Sequence, residues 1–258
     1  MLLLNVATMT IRILPMREYI RIKKPAPLPF DTRQLKTLDD EIWKNWVFYY
    51  LLNFYKNYDS AELKSKIEDE KKKQYPRTER EIAKFVRIKL NANKEFGYHF
   101  TAIGENTNDE DIEGNYDITI HSTNWKSKNF HFECKNLDCS QDLVNKYVCY
   151  NTYKKDTNNE NIFDGGILRY FNGKHVQTLT FGGMIGFVLS GDSVKIKSSL
   201  LTKLKENLHT TPEGDLIQIT DNSIEENNFT FDSLHKRLDR EFTIHIFYLI
   251  SQNRRRTI

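Results

Sequence analysis

The chain has 258 residues and a net charge of only +3, from 38 basic and 35 acidic side chains. Hydrophobic residues at 39% and aromatics at 12% suffice for a sizeable core and exclude wholesale disorder. The near balance of charge announces no nucleic-acid partner, and no apolar run is long enough to span a membrane, so local patterning must decide.

The opening MLLLNVATM is apolar but short, and it lacks the basic flank of a signal peptide. Cys134, Cys139 and Cys149 are odd in number and form no CxxC pair, which reads as free thiols in a reducing cytoplasm. Residues 2–22 alternate loosely and suit a strand or two. Pro25, Pro27 and Pro29 then make an extended connector. From about Leu38 to Tyr55, Trp43, Trp46, Val47, Tyr50, Leu51 and Phe54 recur at helical spacing, and that pattern predicts a helix with one apolar face. Ser60 opens a second, highly charged and solvated helix.

Pro76 ends that helix, and Thr78 starts a third, running roughly to Lys94. Its buried stripe is Ile82, Phe85, Val86 and Leu90. From Lys71 to Lys94 there are nine Lys and Arg against two Glu, a local excess of +7. Two readings stand: a basic helix laid along a phosphate backbone, or an ordinary solvated face.

Residues 98–103 read as a short strand and GENTNDEDIEGN as an acidic, Gly-bounded loop. From Asn115 to Leu137 come two strands joined by a polar loop. A strand alternates its faces with period two. In the second strand His131, Glu133 and Lys135 therefore share one face, and Phe130, Phe132 and Cys134 the other. In the first, Tyr116, Ile118 and Ile120 are the buried set, leaving Asp117 and Thr119 opposite. If the strands pair, two carboxylates and a lysine converge.

Ser140 is a good N-cap for a helix to about residue 155. ILRYFNGKH reads as a short helix ended by Gly173. MIGFVLS is a continuous apolar run suited to a buried strand. Residues 193–208 read as helix, DLIQIT and FTIHIFYLI as late strands, and NRRRTI as a frayed basic tail. The expected fold class is α/β, a central mixed β-sheet flanked by helices, with an N-terminal strand and helical elaboration over 1–77 and the main domain over 78–258.

A helix, an Asp on a strand, then Glu133-Cys134-Lys135 a hairpin later, then a helix, resembles the PD-(D/E)xK nuclease superfamily, with its restriction-endonuclease-like fold. The resemblance covers mainly residues 78–190. Tyr116 stands where a Pro often precedes the Asp. Gln141 and Tyr147 do not reproduce the Gln-x-x-x-Tyr of the exonuclease-like members. The resemblance implies a phosphodiester-cleaving enzyme dependent on Mg²⁺, with Mn²⁺ as the substitute. Asp117, Glu133 and the backbone carbonyl of Cys134 would be metal ligands, hard oxygens of the kind Mg²⁺ prefers. Lys135 would assist the attacking water. DNA is the implied substrate, and the implied role is restriction or host defence, as a homodimer or within a larger defence complex. The rival is a non-catalytic nucleic-acid-binding or assembly subunit; a third reading is a hydrolase of smaller phosphodiesters.

The family often carries an extra acid on the preceding helix, and Glu81 or Glu79 is the candidate. Thr78-x-x-Glu81 is also a capping box, which is the preferred reading of Glu81. Asp111 and Glu113 read as loop charges. His131 shares the face of Glu133 but is better explained by packing. Zinc is rejected because alternation puts His131 and Cys134 on opposite faces. Ser233 to Arg237 reads as either a phosphate contact or a surface loop. Trp125 in the hairpin loop reads as packing before base stacking.

Overall fold

The structure, a computed structural model, describes residues 24–29, 31–104, 106–108, 111–127, 129–148, 152–155, 161–163, 165–171, 179–208, 214–220, 230–237 and 240–250. The strands expected in 2–22, the helix end at Gly173 and the basic tail lie outside these residues. In chain order come α1 (Thr32–Leu35), α2 (Asp40–Asn57), α3 (Ser60–Lys71), α4 (Thr78–Ala92) and α5 (Lys94–Gly97). Then follow β1 (Thr101–Ile103), β2 (Asn106–Asn108), β3 (Asp111–Tyr116), β4 (Ile118–His121) and β5 (Asn129–Leu137). Next are α6 (Gln141–Val148), β6 (Thr152–Lys155), β7 (Asn161–Phe163), α7 (Leu168–Phe171), β8 (Phe181–Val188) and α8 (Ser193–Leu208). β9 (Gly214–Thr220), β10 (Thr230–Arg237) and β11 (Glu241–Ile250) complete the set.

Seven strands form one mixed sheet in the order β1-β4-β5-β8-β11-β10-β9. β8 runs parallel to both β5 and β11, and every other pairing in the sheet is antiparallel. Strand β8 is central and buried along its whole length, as its continuous apolar run requires. Gly182 and Gly183 are needed there: a Cβ on the first would strike the Tyr170 ring, and one on the second the Phe132 ring. The expected α/β class is thus observed, with helices packed against a mixed sheet. No helix among the described residues is long and apolar enough to cross a membrane.

Two apolar clusters cover the sheet. In one, Trp43, Val47 and Tyr50 of α2 and Ile82, Phe85 and Val86 of α4 pack on Ile118, Phe130, Phe132 and Cys134. In the other, Val144 and Tyr147 of α6, Tyr170 of α7 and Leu200 and Leu204 of α8 pack on Met184, Val188 and Ile244. Each fully buried side chain of this size stabilises the fold by about 1.5–3 kcal/mol before packing terms. The N-terminal helices therefore share one core with β4, which follows Asp117, and β5, which carries Glu133. The proline connector is also anchored: Trp46 Nε1 donates to the Ala26 carbonyl at 3.2 Å.

The structure departs from several expectations. Helix α3 buries Leu63 and Ile67, so it is not wholly solvated; Asp59 caps it and Ser60 is its first residue. The segment from Gly104 to Asn115 is no simple loop, because β2 and β3 pair antiparallel across it. Backbone ladders need no apolar side chains, so a polar hairpin leaves no hydrophobic signal. Helix α6 is described over Gln141–Val148, and Thr152–Lys155, expected as its last turn, is a strand paired with β7. Ser233 to Arg237 lies inside β10 rather than in a surface loop, with Ser233 and His235 fully buried. Trp125 is core: it stacks between Trp43 and Phe181 and donates to Asp40 Oδ1 at 2.6 Å.

Candidate active site

The antiparallel ladder of β4 and β5 ends at the Ile118–Phe132 pair. Beyond it the chain bends at Asp117, between β3 and β4. The Cys134 N–H donates to Asp117 Oδ2 at 2.7 Å, so a carboxylate satisfies a backbone donor beyond the ladder. The bend also reverses the alternation: Tyr116 joins the cluster opposite that of Ile118 and stacks on His131 at 3.9 Å. This corrects the expectation that Tyr116, Ile118 and Ile120 share a face. The bend is itself held, because Arg87 Nη1 of α4 donates to the Asp117 carbonyl at 2.5 Å.

Along β5 the alternation is as expected. Phe130, Phe132 and Cys134 enter the aromatic cluster, and Glu133 and Lys135 point the other way. Glu133 is only 1% exposed. Its Oε1 lies 2.7 Å from Lys135 Nζ and 3.3 Å from Arg169 Nη1 of α7. Lys135 Nζ is also 3.1 Å from Glu79 Oε1 and donates to the Cys134 carbonyl at 2.8 Å. The ammonium thus sits among three oxygens from β5 and α4. Glu79 makes a second contact, its Oε2 accepting from the Asn136 N–H at 3.0 Å.

Burial pushes the Asp117 carboxyl up to about 7, reinforced by the negative charge of Glu133; Lys135 opposes the rise. Burial works against the charge on Lys135, but Glu133, Glu79 and Asp117 together outweigh it and raise its pKa. Burial likewise raises the Cys134 thiol well above its ordinary range, so it is not the reactive group here.

The structure therefore brings Asp117, Glu133, Lys135 and the Cys134 backbone together. Glu79, rather than Glu81, joins them. The capping box at Thr78 does not form: Arg77 is the N-cap, makes no side-chain cap bond, and its carbonyl accepts from the Glu81 N–H at 3.1 Å. Sequence reasoning missed Arg87 and Arg169. His131 is engaged in packing, with Nδ1 3.0 Å from Thr119 Oγ1. In β10, burial depresses His235 to about 3, and its Nε2 pairs with Ser233 Oγ at 2.8 Å. A neutral, enclosed histidine does not suit a phosphate contact.

Carboxylate oxygens of Glu133 and Glu79 and the Cys134 carbonyl converge on the Lys135 ammonium, and such oxygens are also the donor types that a hard divalent cation takes. Among the described residues, no group of three His, Cys, Asp or Glu side chains is spaced to hold a metal ion. Comparison with known proteins returns no match to a family model, a curated protein or a solved structure.

Proposed function

We propose that this chain is a metal-dependent nuclease with a restriction-endonuclease-like core, acting on DNA. The observation that carries the reading is the convergence of Asp117, Glu133 and Lys135 at the end of the β4–β5 ladder. The element order supports it: helix α4, antiparallel strands β1, β4 and β5, helix α6, then β8 parallel to β5. Asp117, Glu133 and the Cys134 carbonyl would hold Mg²⁺ or Mn²⁺, which when bound polarises a phosphoryl oxygen and lowers the pKa of a coordinated water.

The chain's own groups do the rest. Lys135 remains protonated because three carboxylates surround it, so it carries a fixed positive charge to a scissile phosphate. Such a charge stabilises the negative charge carried by the phosphoryl oxygens in the transition state. Glu79 orients that ammonium from α4, and Arg169 balances the buried Glu133 from α7.

One observation favours a second reading, a non-catalytic nucleic-acid-binding or assembly subunit. The ammonium of Lys135 is already engaged by Glu133, Glu79 and the Cys134 carbonyl, a closed ion-pair cluster that needs no metal. Incubating the protein with plasmid, linear and single-stranded DNA and with RNA, in Mg²⁺ or Mn²⁺ and then in EDTA, separates the two. Cleavage abolished by EDTA, and reduced at least about 100-fold in Glu133→Ala and Lys135→Ala, supports the nuclease. Binding without cleavage in either metal supports the second reading.

A further inference from the structure

Asp117 belongs to no strand: β3 ends at Tyr116 and β4 begins at Ile118, and the ladders on either side stop short of it. Sheet pairing therefore does not set its direction. Two hydrogen bonds do. The carboxylate accepts from the Cys134 N–H at 2.7 Å, and the carbonyl accepts from Arg87 Nη1 at 2.5 Å. A carbonyl turned inward at a bend needs a donor, and a guanidinium brings one from a neighbouring helix on a long stem.

The guanidinium has its place because of Gly104, the residue after β1. A Cβ built on Gly104 would strike the Arg87 guanidinium. Gly104 does not adopt a positive φ, so its backbone is open to other residues; what the glycine supplies is room. The group in the way is the far end of a flexible side chain, which can swing aside with little effect on the fold around it.

Helix α4 does not need Arg87 to stay docked. Ile82, Phe85, Val86 and Leu90 pack into the aromatic core. Asn91, one turn beyond Arg87, exchanges two 2.8 Å hydrogen bonds with the Ala102 backbone. The Arg87 bond is therefore directed at Asp117 and at the bend that aims its carboxylate.

We propose that Arg87 is a positioning residue for Asp117, and that Gly104 is the gap that lets its guanidinium reach. The proposal rests on the nuclease reading for what Asp117 then does, which is to present its carboxylate to a divalent cation. A group that orients a metal ligand in this way is worth about 10–100-fold in metal affinity.

Amide hydrogen exchange, read by NMR in EDTA, compares the parent with Arg87→Met, Gly104→Ala and the double variant. The Cys134 amide reports on the Asp117 carboxylate. The Ala102 amide, which donates to Asn91 Oδ1, reports on the docking of α4. Each single variant is expected to speed exchange at Cys134 about 10–100-fold, the weight of one hydrogen bond to a charged group, and to leave Ala102 unchanged. The double variant is expected to match Arg87→Met, because Gly104→Ala acts only through the guanidinium. Cys134 still protected in either single variant overturns the proposal. So does equal acceleration at Cys134 and Ala102 in both, which makes Arg87 a docking contact, or additive losses in the double variant.

Mn²⁺ titration of the same four proteins, read by water-proton relaxation, keeps the two readings apart. Binding by the parent that weakens about 10–100-fold in both single variants supports both. Faster exchange at Cys134 with no Mn²⁺ binding in any protein keeps the positioning role and sinks the metal site. Equal Mn²⁺ binding in all four, with Cys134 protected throughout, sinks the positioning role alone.

Discussion

The two faces of β5 are chemically opposite. On one, Phe130, Phe132 and Cys134 are fully buried, with Phe130 and Phe132 stacked at 4.5 Å. On the other, Glu133 is just as enclosed, yet its neighbours are Lys135, Arg169 and, across the ladder end, Asp117. Apolar burial stabilises without demanding direction. Buried charge costs free energy unless each group finds its partner, and truncating one partner strands the other. The aromatic face therefore reads as what holds the fold, and the charged face as a feature retained at some expense.

The sharpest way to break the comparison is to truncate the aromatic face. Phe132→Ala removes a ring packed against Phe130 and Phe247, opposite the backbone of Gly183. The expected loss is about 3–5 kcal/mol, read as a shift in the urea midpoint at unchanged slope. A loss under about 1 kcal/mol would show that the aromatic face does not anchor the sheet.

On the charged face the sign reverses. Asp117 has a carboxyl pushed up to about 7 in the folded chain, against the ordinary 3.8. Between those values the folded chain keeps a proton that the unfolded chain has released. The stability associated with that proton is complete below about 3.8 and is lost as pH rises through about 7. Asp117→Asn does not titrate and still offers an oxygen to the Cys134 N–H. In metal-free buffer it is expected to be more stable than the parent by on the order of 2 kcal/mol at pH 8, with the gain fading toward pH 4. Thermal melts across that range in EDTA check it, and a variant that is less stable at pH 8 refutes the crowded-carboxylate picture.

Much of this contrast was legible in the sequence, and the physical reason is period. Glu133, Lys135 and the phenylalanines sort themselves because a strand alternates, and α2 and α4 show their apolar faces at helical spacing. The bend at Asp117 carries no such mark, so strand periodicity puts Tyr116 on the wrong face. The polar β2–β3 hairpin gives no hydrophobic pattern to read. Arg169 reaches Glu133 from α7 through the docking of one short helix, and Arg87 reaches Asp117 across the helix–strand contact. Contacts between elements distant in sequence leave no local spacing to find.

Glu79 and Glu81 give the finest test, because they lie two positions apart on α4 and only Glu79 reaches Lys135 and Asn136. The capping-box pattern places Thr78 at the N-cap; the helix instead begins at Thr78, with Arg77 as the cap. Glu79 is then in the first turn and aligned with Arg87, two turns along, on the face toward the site. Its side chain is 31% exposed, so its pairing with Lys135 contributes little to stability, under about 1 kcal/mol. Its value lies in direction: one oxygen holds the Lys135 ammonium and the other the Asn136 N–H, which together fix where the charge points. Glu79→Gln keeps the shape and removes the charge. It is expected to lower cleavage about tenfold at nearly unchanged melting temperature, whereas Glu81→Gln leaves both alone. If Glu81→Gln is the slower of the two, Glu81 rather than Glu79 serves the site, and the α4 contacts to Lys135 are packing alone.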